Sequence, residues 1–267
     1  MKFTSKVLLT LLVILIGGLL SSNIIMKNEY DAIDKTDIYW NYEKILQQPF
    51  KYLKITGGNG TRIAFEQSQH YSVRILQEWK RYHGGEIKAH VTNDTLYINF
   101  DFVPPTPYDI FYIKNNTTIR IFSPELLSFD GFNTNFEMYK LKQKSMNVNL
   151  TGRSKFEIES MFRSMDSITV FQRDSSEVVF EMSPDYKPSN SAEKTKSVTV
   201  TIGSAPPDMS DANQIKSPEA MSIKTVKADL QGYSLLDLGH AQIDSLQLSI
   251  ADSSAIIISG GALKKFK

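Results

Sequence analysis

The stretch SMNVNLTGRSKFEIE, residues 145–159, decides how this chain is read. Met146, Val148 and Leu150 alternate with polar residues, a short turn follows, and Phe156 and Ile158 resume the alternation. A period of 2 puts the apolar side chains of a strand on one face. The turn residue Gly152 accepts backbone angles that residues with a Cβ resist. The segment reads as two strands joined by a corner, with both apolar faces turned the same way.

Three more stretches align with it without gaps: SITVFQRDSSEVVFE (167–181), TVKADLQGYSLLDLG (225–239) and SLQLSIADSSAIIIS (245–259). At the five inward columns of this alignment Gln172 is the one polar residue. Each corner carries Gly152, Asp174, Gly232 or Asp252, followed two residues later by Ser154, Ser176, Ser234 or Ser254. A weaker copy, ELLSFDGFNTNFEM (125–138), brings Leu127, Phe129, Gly131, Phe136 and Met138, and SVTVTIG (197–203) leaves room for another. One unit cannot bury its own apolar face, whereas units stacked at strand spacing complete a continuous core and satisfy each other's backbone groups. An antiparallel sandwich or meander also yields short alternating strands. It has no reason to repeat the same small residue at one offset, so the expectation is an all-β, short-rung solenoid.

Upstream, FKYLKIT (50–56), TRIAFEQ (61–67), YSVRILQ (71–77), EIKAHV (86–91) and TLYINF (95–100) alternate as strands do, and Asn93-Asp94 reads as a tight turn between the last two. The opening FKYLKITGGNGTRIAFEQSQHYSVRI (50–75), the turns LTGRS (150–154) and LQGYS (230–234), and the ISGG at 258–261 resemble the auto-transporter adhesin, head GIN domain family, a domain of unknown function in envelope proteins of Bacteroidetes-type bacteria. The resemblance spans roughly residues 50–267. It implies a right-handed parallel β-helix, from whose pattern this chain departs by loop insertions at 101–118 and 183–219, and it supplies no catalytic residue.

Residues 7–26, VLLTLLVILIGGLLSSNIIM, carry no charge and follow Lys2 and Lys6. At about 1.5 Å per residue such a run spans roughly 30 Å as a helix, the depth of a hydrocarbon core. Residues 1–26 are thus an uncleaved signal anchor or a cleaved signal peptide. The flanking lysines hold the N-terminus in the cytoplasm and put the remainder outside it. Residues 27–49 read as a tether. With six residues ahead of the apolar run, no cytoplasmic signalling domain is expected.

Composition narrows the chemistry. The 267 residues include no cysteine, which excludes disulfides, thiol nucleophiles and cysteine-bound metals. Thirty basic and 29 acidic residues give a net charge of +1, no footprint for nucleic acid. The four histidines, His70, His83, His90 and His240, have no partner at ligand spacing. Gly152-x-Ser154 lacks the second glycine of a nucleophile elbow, and Gly57-Gly58-Asn59-Gly60 opens no helix and reads as a hairpin turn rather than a phosphate cradle. Glu157 and Asp237 share an outward column with Val179 and Ile257, and Glu159 and Glu181 fall on adjacent copies; they read as a solvated, edge-protecting face. Asp94-Thr95-Leu96, Asp166-Ser167-Ile168 and Asp244-Ser245-Leu246 resemble bacterial O-glycosylation acceptors, although Ser or Thr recurs at repeat starts in any case. No catalytic, cofactor-binding or metal-binding residue is expected. The function expected is that of a non-catalytic envelope module, periplasmic, surface-located or secreted, which binds polysaccharide or another envelope protein. The alternative is a lyase or hydrolase acting on polysaccharide.

Overall fold

A computed structural model of the chain describes residues 3–79, 87–100, 116–139, 143–159, 164–181, 221–239 and 241–258. It divides into two units, Met1–Glu43 and Lys44–Lys267. The first contains helix α1 (Phe3–Ala32), whose side chains are all exposed. This helix is long and apolar enough to cross a membrane, and it runs past the apolar stretch into the segment read as a tether.

The strands are β1 (Tyr42–Leu46), β2 (Tyr52–Gly57), β3 (Arg62–Gln67), β4 (Ser72–Leu76), β5 (Ile87–Thr92), β6 (Thr95–Phe100), β7 (Thr117–Ser123), β8 (Ser128–Phe132) and β9 (Asn135–Tyr139). There follow β10 (Ser145–Thr151), β11 (Lys155–Glu159), β12 (Ser164–Gln172), β13 (Glu177–Glu181), β14 (Ser222–Leu230), β15 (Leu235–Asp237), β16 (Gln242–Ile250) and β17 (Ala255–Ile257). They build two sheets. One has nine strands in the order β1-β4-β7-β3-β9-β11-β13-β15-β17; the other has eight, β16-β14-β12-β10-β8-β2-β6-β5.

This corrects the expectation of an all-β, right-handed parallel β-helix: the molecule is a mixed α/β arrangement, a helix and two large sheets in which parallel and antiparallel strands occur together. Strand β4 runs antiparallel to β7, and β5 antiparallel to β6. Order in space also departs from order in the chain, because β2 lies between β6 and β8 and β3 between β7 and β9. The physical reason is that alternation fixes which face of a strand is buried and leaves open which edge it pairs with and in which direction. At β5–β6 the local turn decides: Asn93 and Asp94 have φ of 50° and 57°, the two left-handed residues of a tight hairpin, which sends the chain back alongside itself.

Within the sheets the repeated segments pair in parallel. Met146, Ile168, Val226 and Leu246 are register partners along β10, β12, β14 and β16. Phe156, Val178, Leu236 and Ile256 are partners along β11, β13, β15 and β17. The segment 125–138 joins them, Phe129 beside Val148 and Phe136 beside Phe156. The stretch 197–203 and the proposed insertion 183–219 lie outside the described residues, as does most of 101–118.

The core lies between the sheets. Phe129 of the eight-stranded sheet meets Phe136 and Phe156 of the nine-stranded one at ring-centroid distances of 4.2 and 5.6 Å. All three are fully buried, as are Leu53, Ile55, Ile63, Phe65, Val148, Leu150, Ile158, Val170 and Leu230. Each such side chain contributes about 1.5–3 kcal/mol on burial.

Candidate binding face

The corner residues come first, since they set the spacing of everything outward. Gly152, Asp174 and Gly232 have φ of 69°, 64° and 72°, and Asn133 takes the same left-handed conformation at 50° in the corner before them. Asp252 does not. A Cβ on Gly152 would lie 2.4 Å from Asn133 Oδ1, so the neighbouring corner closes the space that a side chain would need. The corners are tied to one another: the Gly152 amide donates to Asp174 Oδ2 (2.8 Å) and the Arg153 amide to Asn133 Oδ1 (2.9 Å). Ser154, Ser176 and Ser234 are buried. Ser154 and Ser234 donate to the carbonyls of Thr151 and Gln231 (2.7 Å each), Ser176 and Ser234 oxygens stand 3.4 Å apart, and Ser254 donates to Gly232 O (2.9 Å). Buried Gln172 uses its Nε2 to donate to the carbonyls of Ser176 (3.1 Å) and Leu235 (2.9 Å), which satisfies its nitrogen in an apolar column, while its Oε1 accepts no hydrogen bond among the described residues. The serines Ser154, Ser176 and Ser234 and Gln172 are buried, and Asp174, although exposed, accepts from the Gly152 amide; these groups hold the corners together.

Glu137, Glu157 and Asp237 occupy outward positions of the nine-stranded sheet, between inward-facing neighbours. Glu157 is the register partner of both Glu137 and Val179, and Val179 of Asp237. Glu159 and Glu181 are partners as well. Glu137, absent from the expected set, is the most deeply placed. It is 3% exposed, pairs with Arg62 Nε at 3.2 Å and accepts from the Tyr139 hydroxyl. Burial pushes its carboxyl above the usual range, against the pull of Tyr139 and Arg62 and with the help of the like charge on Glu157. Lys155 pairs with Glu157, and Arg120 with Glu66 at 2.8 Å. A carboxyl with so little exposure does not reach a polymer, so this cluster reads as an internally compensated patch. Among the described residues no three His, Asp or Glu side chains gather as metal ligands would. Of the histidines, His90 stacks on Tyr97 (5.2 Å, 10°).

The outer side of the eight-stranded sheet is different in kind. Its outward positions carry hydroxyl and amide residues among exposed aromatics: Tyr52 is 40% exposed, Phe132 and Phe171 each 47%. Two shallow depressions cross it. One, of about 320 Å³, is lined by Lys54, Thr56, Asp130, Phe132, Asn149 and Thr151. The other, of about 330 Å³, is lined by Thr169, Phe171, Lys227, Asp229, Gln247 and Ser249. Sheet geometry produces both, because alternate residues of parallel strands in register present their side chains in rows across the sheet. Near the N-terminal ends of β12 and β14, Asp166 pairs with Lys224 at 2.5 Å, and that hydrogen bond lowers the carboxyl's pKa and raises the ammonium's. Sequence reasoning passed over Phe132 and Phe171 because it followed the inward columns. An aromatic at an outward position of an alternating strand was the available signal.

No family model matches the chain, so the head GIN assignment gains no support from that comparison, and no curated protein matches it either. Solved structures similar to the chain include three from Bacteroides and Parabacteroides species. One is described as a "putative adhesin" from Bacteroides fragilis NCTC 9343, at 12% identity and a TM-score of 0.45 over 81% of this chain and 95% of that one. A "putative lipid binding protein" from Parabacteroides distasonis ATCC 8503 has 13% identity and a TM-score of 0.33 over 81% and 95%. A "putative adhesin" from Parabacteroides merdae ATCC 43184 has 10% identity and a TM-score of 0.33 over 81% and 94%.

Proposed function

We propose that the chain is a non-catalytic binding protein of the cell envelope, held at a membrane by α1, which takes a polysaccharide on the outer face of its eight-stranded sheet. The observation that carries this reading is the face itself, where exposed Phe132 and Phe171 sit in depressions among threonine, asparagine, glutamine, lysine and aspartate side chains. A sugar ring has an apolar face that stacks on an aromatic ring and a rim of hydroxyls that pairs with amides and carboxylates, so this mixture suits it. Isolated exposed aromatics are ordinary on protein surfaces; here each one sits with donors and acceptors around it.

The test is binding of the full-length protein, in detergent micelles, to an array of bacterial and host glycans. Binding that falls about tenfold or more on Phe132→Ala plus Phe171→Ala, with polymer recovered at its original length, is the expected result. Unchanged binding by the double variant would place the site elsewhere, and shortened polymer would favour the enzyme.

A further inference from the structure

We infer that the two depressions are two subsites of like composition for one linear, uncharged polymer that lies across the strands, an inference that rests on the polysaccharide reading above. The two sets of lining side chains match in kind. Each set holds one aromatic ring, one ammonium, one carboxylate, two hydroxyls and one carboxamide: Phe132, Lys54, Asp130, Thr56, Thr151 and Asn149 in the first, Phe171, Lys227, Asp229, Thr169, Ser249 and Gln247 in the second. The match is one of composition, since Phe132 stands on the middle of its three strands and Phe171 on an outer one. The volumes, about 320 and 330 Å³, match too. One lysine and one aspartate leave each depression without net charge, which suits a polymer bearing hydroxyls and amides better than an anionic one.

Register joins the subsites. Lys54 is the partner of Asp130, Asp130 of Asn149, Asn149 of Phe171, Phe171 of Asp229, and Asp229 of Ser249. A single outward row thus begins in the first depression and ends in the second, perpendicular to the strands and with no intervening turn. Phe132 and Phe171 stand two strands apart and two residues apart along the strand direction, a separation of about 12 Å from the ordinary strand spacing and rise. Phe132 belongs to the next outward row, with Thr56 and Thr151, so a ligand touches both aromatics only if it crosses the strands obliquely and is longer than that separation. Once one subsite is filled, the second engages at the high effective concentration of a tethered group.

The experiment uses full-length protein in micelles and two neutral β-1,4-linked series, glucose and N-acetylglucosamine oligomers, from two rings to about eight. In at least one series affinity should climb about tenfold or more once the oligomer exceeds the separation, and Phe132→Ala or Phe171→Ala alone should abolish that climb while short oligomers still bind. Both rings are exposed, so the variants should melt like the parent. Oligomers of every length binding equally would overturn the two-subsite arrangement and leave a one-site polysaccharide binder. Absence of binding in both series overturns it as well, and a positive glycan array would then show that the broader reading had survived.

Discussion

At the scale of single residues, the corners make the sharpest statements. Gly152→Ala must hold a left-handed φ and place a methyl against the Asn133 side chain, so a loss of about 1–3 kcal/mol is expected, read as a lower urea midpoint at unchanged slope. Asp174 holds the same conformation with a side chain that repays it by accepting from the Gly152 amide. Asp174→Ala should therefore destabilise more than Asp174→Gly. Glu137 gives a pH dependence. Burial raises its folded pKa above the unfolded value of 4.5, so the fold binds the proton more tightly. Its contribution is fully present below the unfolded pKa and is lost as pH rises through the folded value. Glu137→Gln, which stays neutral, should gain in Tm relative to the parent as pH rises across that window; a difference that is flat with pH would contradict the assignment. The groups facing Glu137 are Arg62, Tyr139 and Glu157.

Elements answer to different physics. Leu150 and Leu230 sit fully buried on β10 and β14, and both are register partners of buried Gln172 on β12. A carboxylate there has no partner, so Leu150→Asp should cost about 3–5 kcal/mol and leave little folded protein by circular dichroism. The β5–β6 hairpin offers the opposite case. Asp94 occupies a left-handed turn position that glycine prefers, and Asp94→Gly should be neutral or stabilising by a few tenths of a kcal/mol in thermal melts. These two elements also show what the residues disclose and what they withhold. The alternation in 145–159 and its copies identifies strands, inward faces and corners, because those depend on neighbours in sequence. The insertion of β2 between β6 and β8, and the antiparallel entry of β4 beside β7, depend on pairing between residues some 40–80 positions apart, for which period 2 carries no information. The parallel copies were legible for that reason and the overall architecture was not.

For the whole molecule, α1 and the sheets separate cleanly in their chemistry. A chain lacking residues 1–39 retains all of β1 (Tyr42–Leu46) and should fold in buffer without detergent, whereas the full chain should partition into detergent; the measurement is phase separation followed by a thermal melt. The candidate site was hidden at this scale. Lys54, Asp130, Asn149 and Lys227 come from four strands spread over some 170 residues, and only register brings them into rows. Hydrogen exchange with and without saturating polysaccharide tests the central claim most directly, because it reports where on the fold the polymer sits. Added protection concentrated on β8, β10, β12 and β14 is the predicted result; protection confined to the nine-stranded sheet, or to α1, would contradict it.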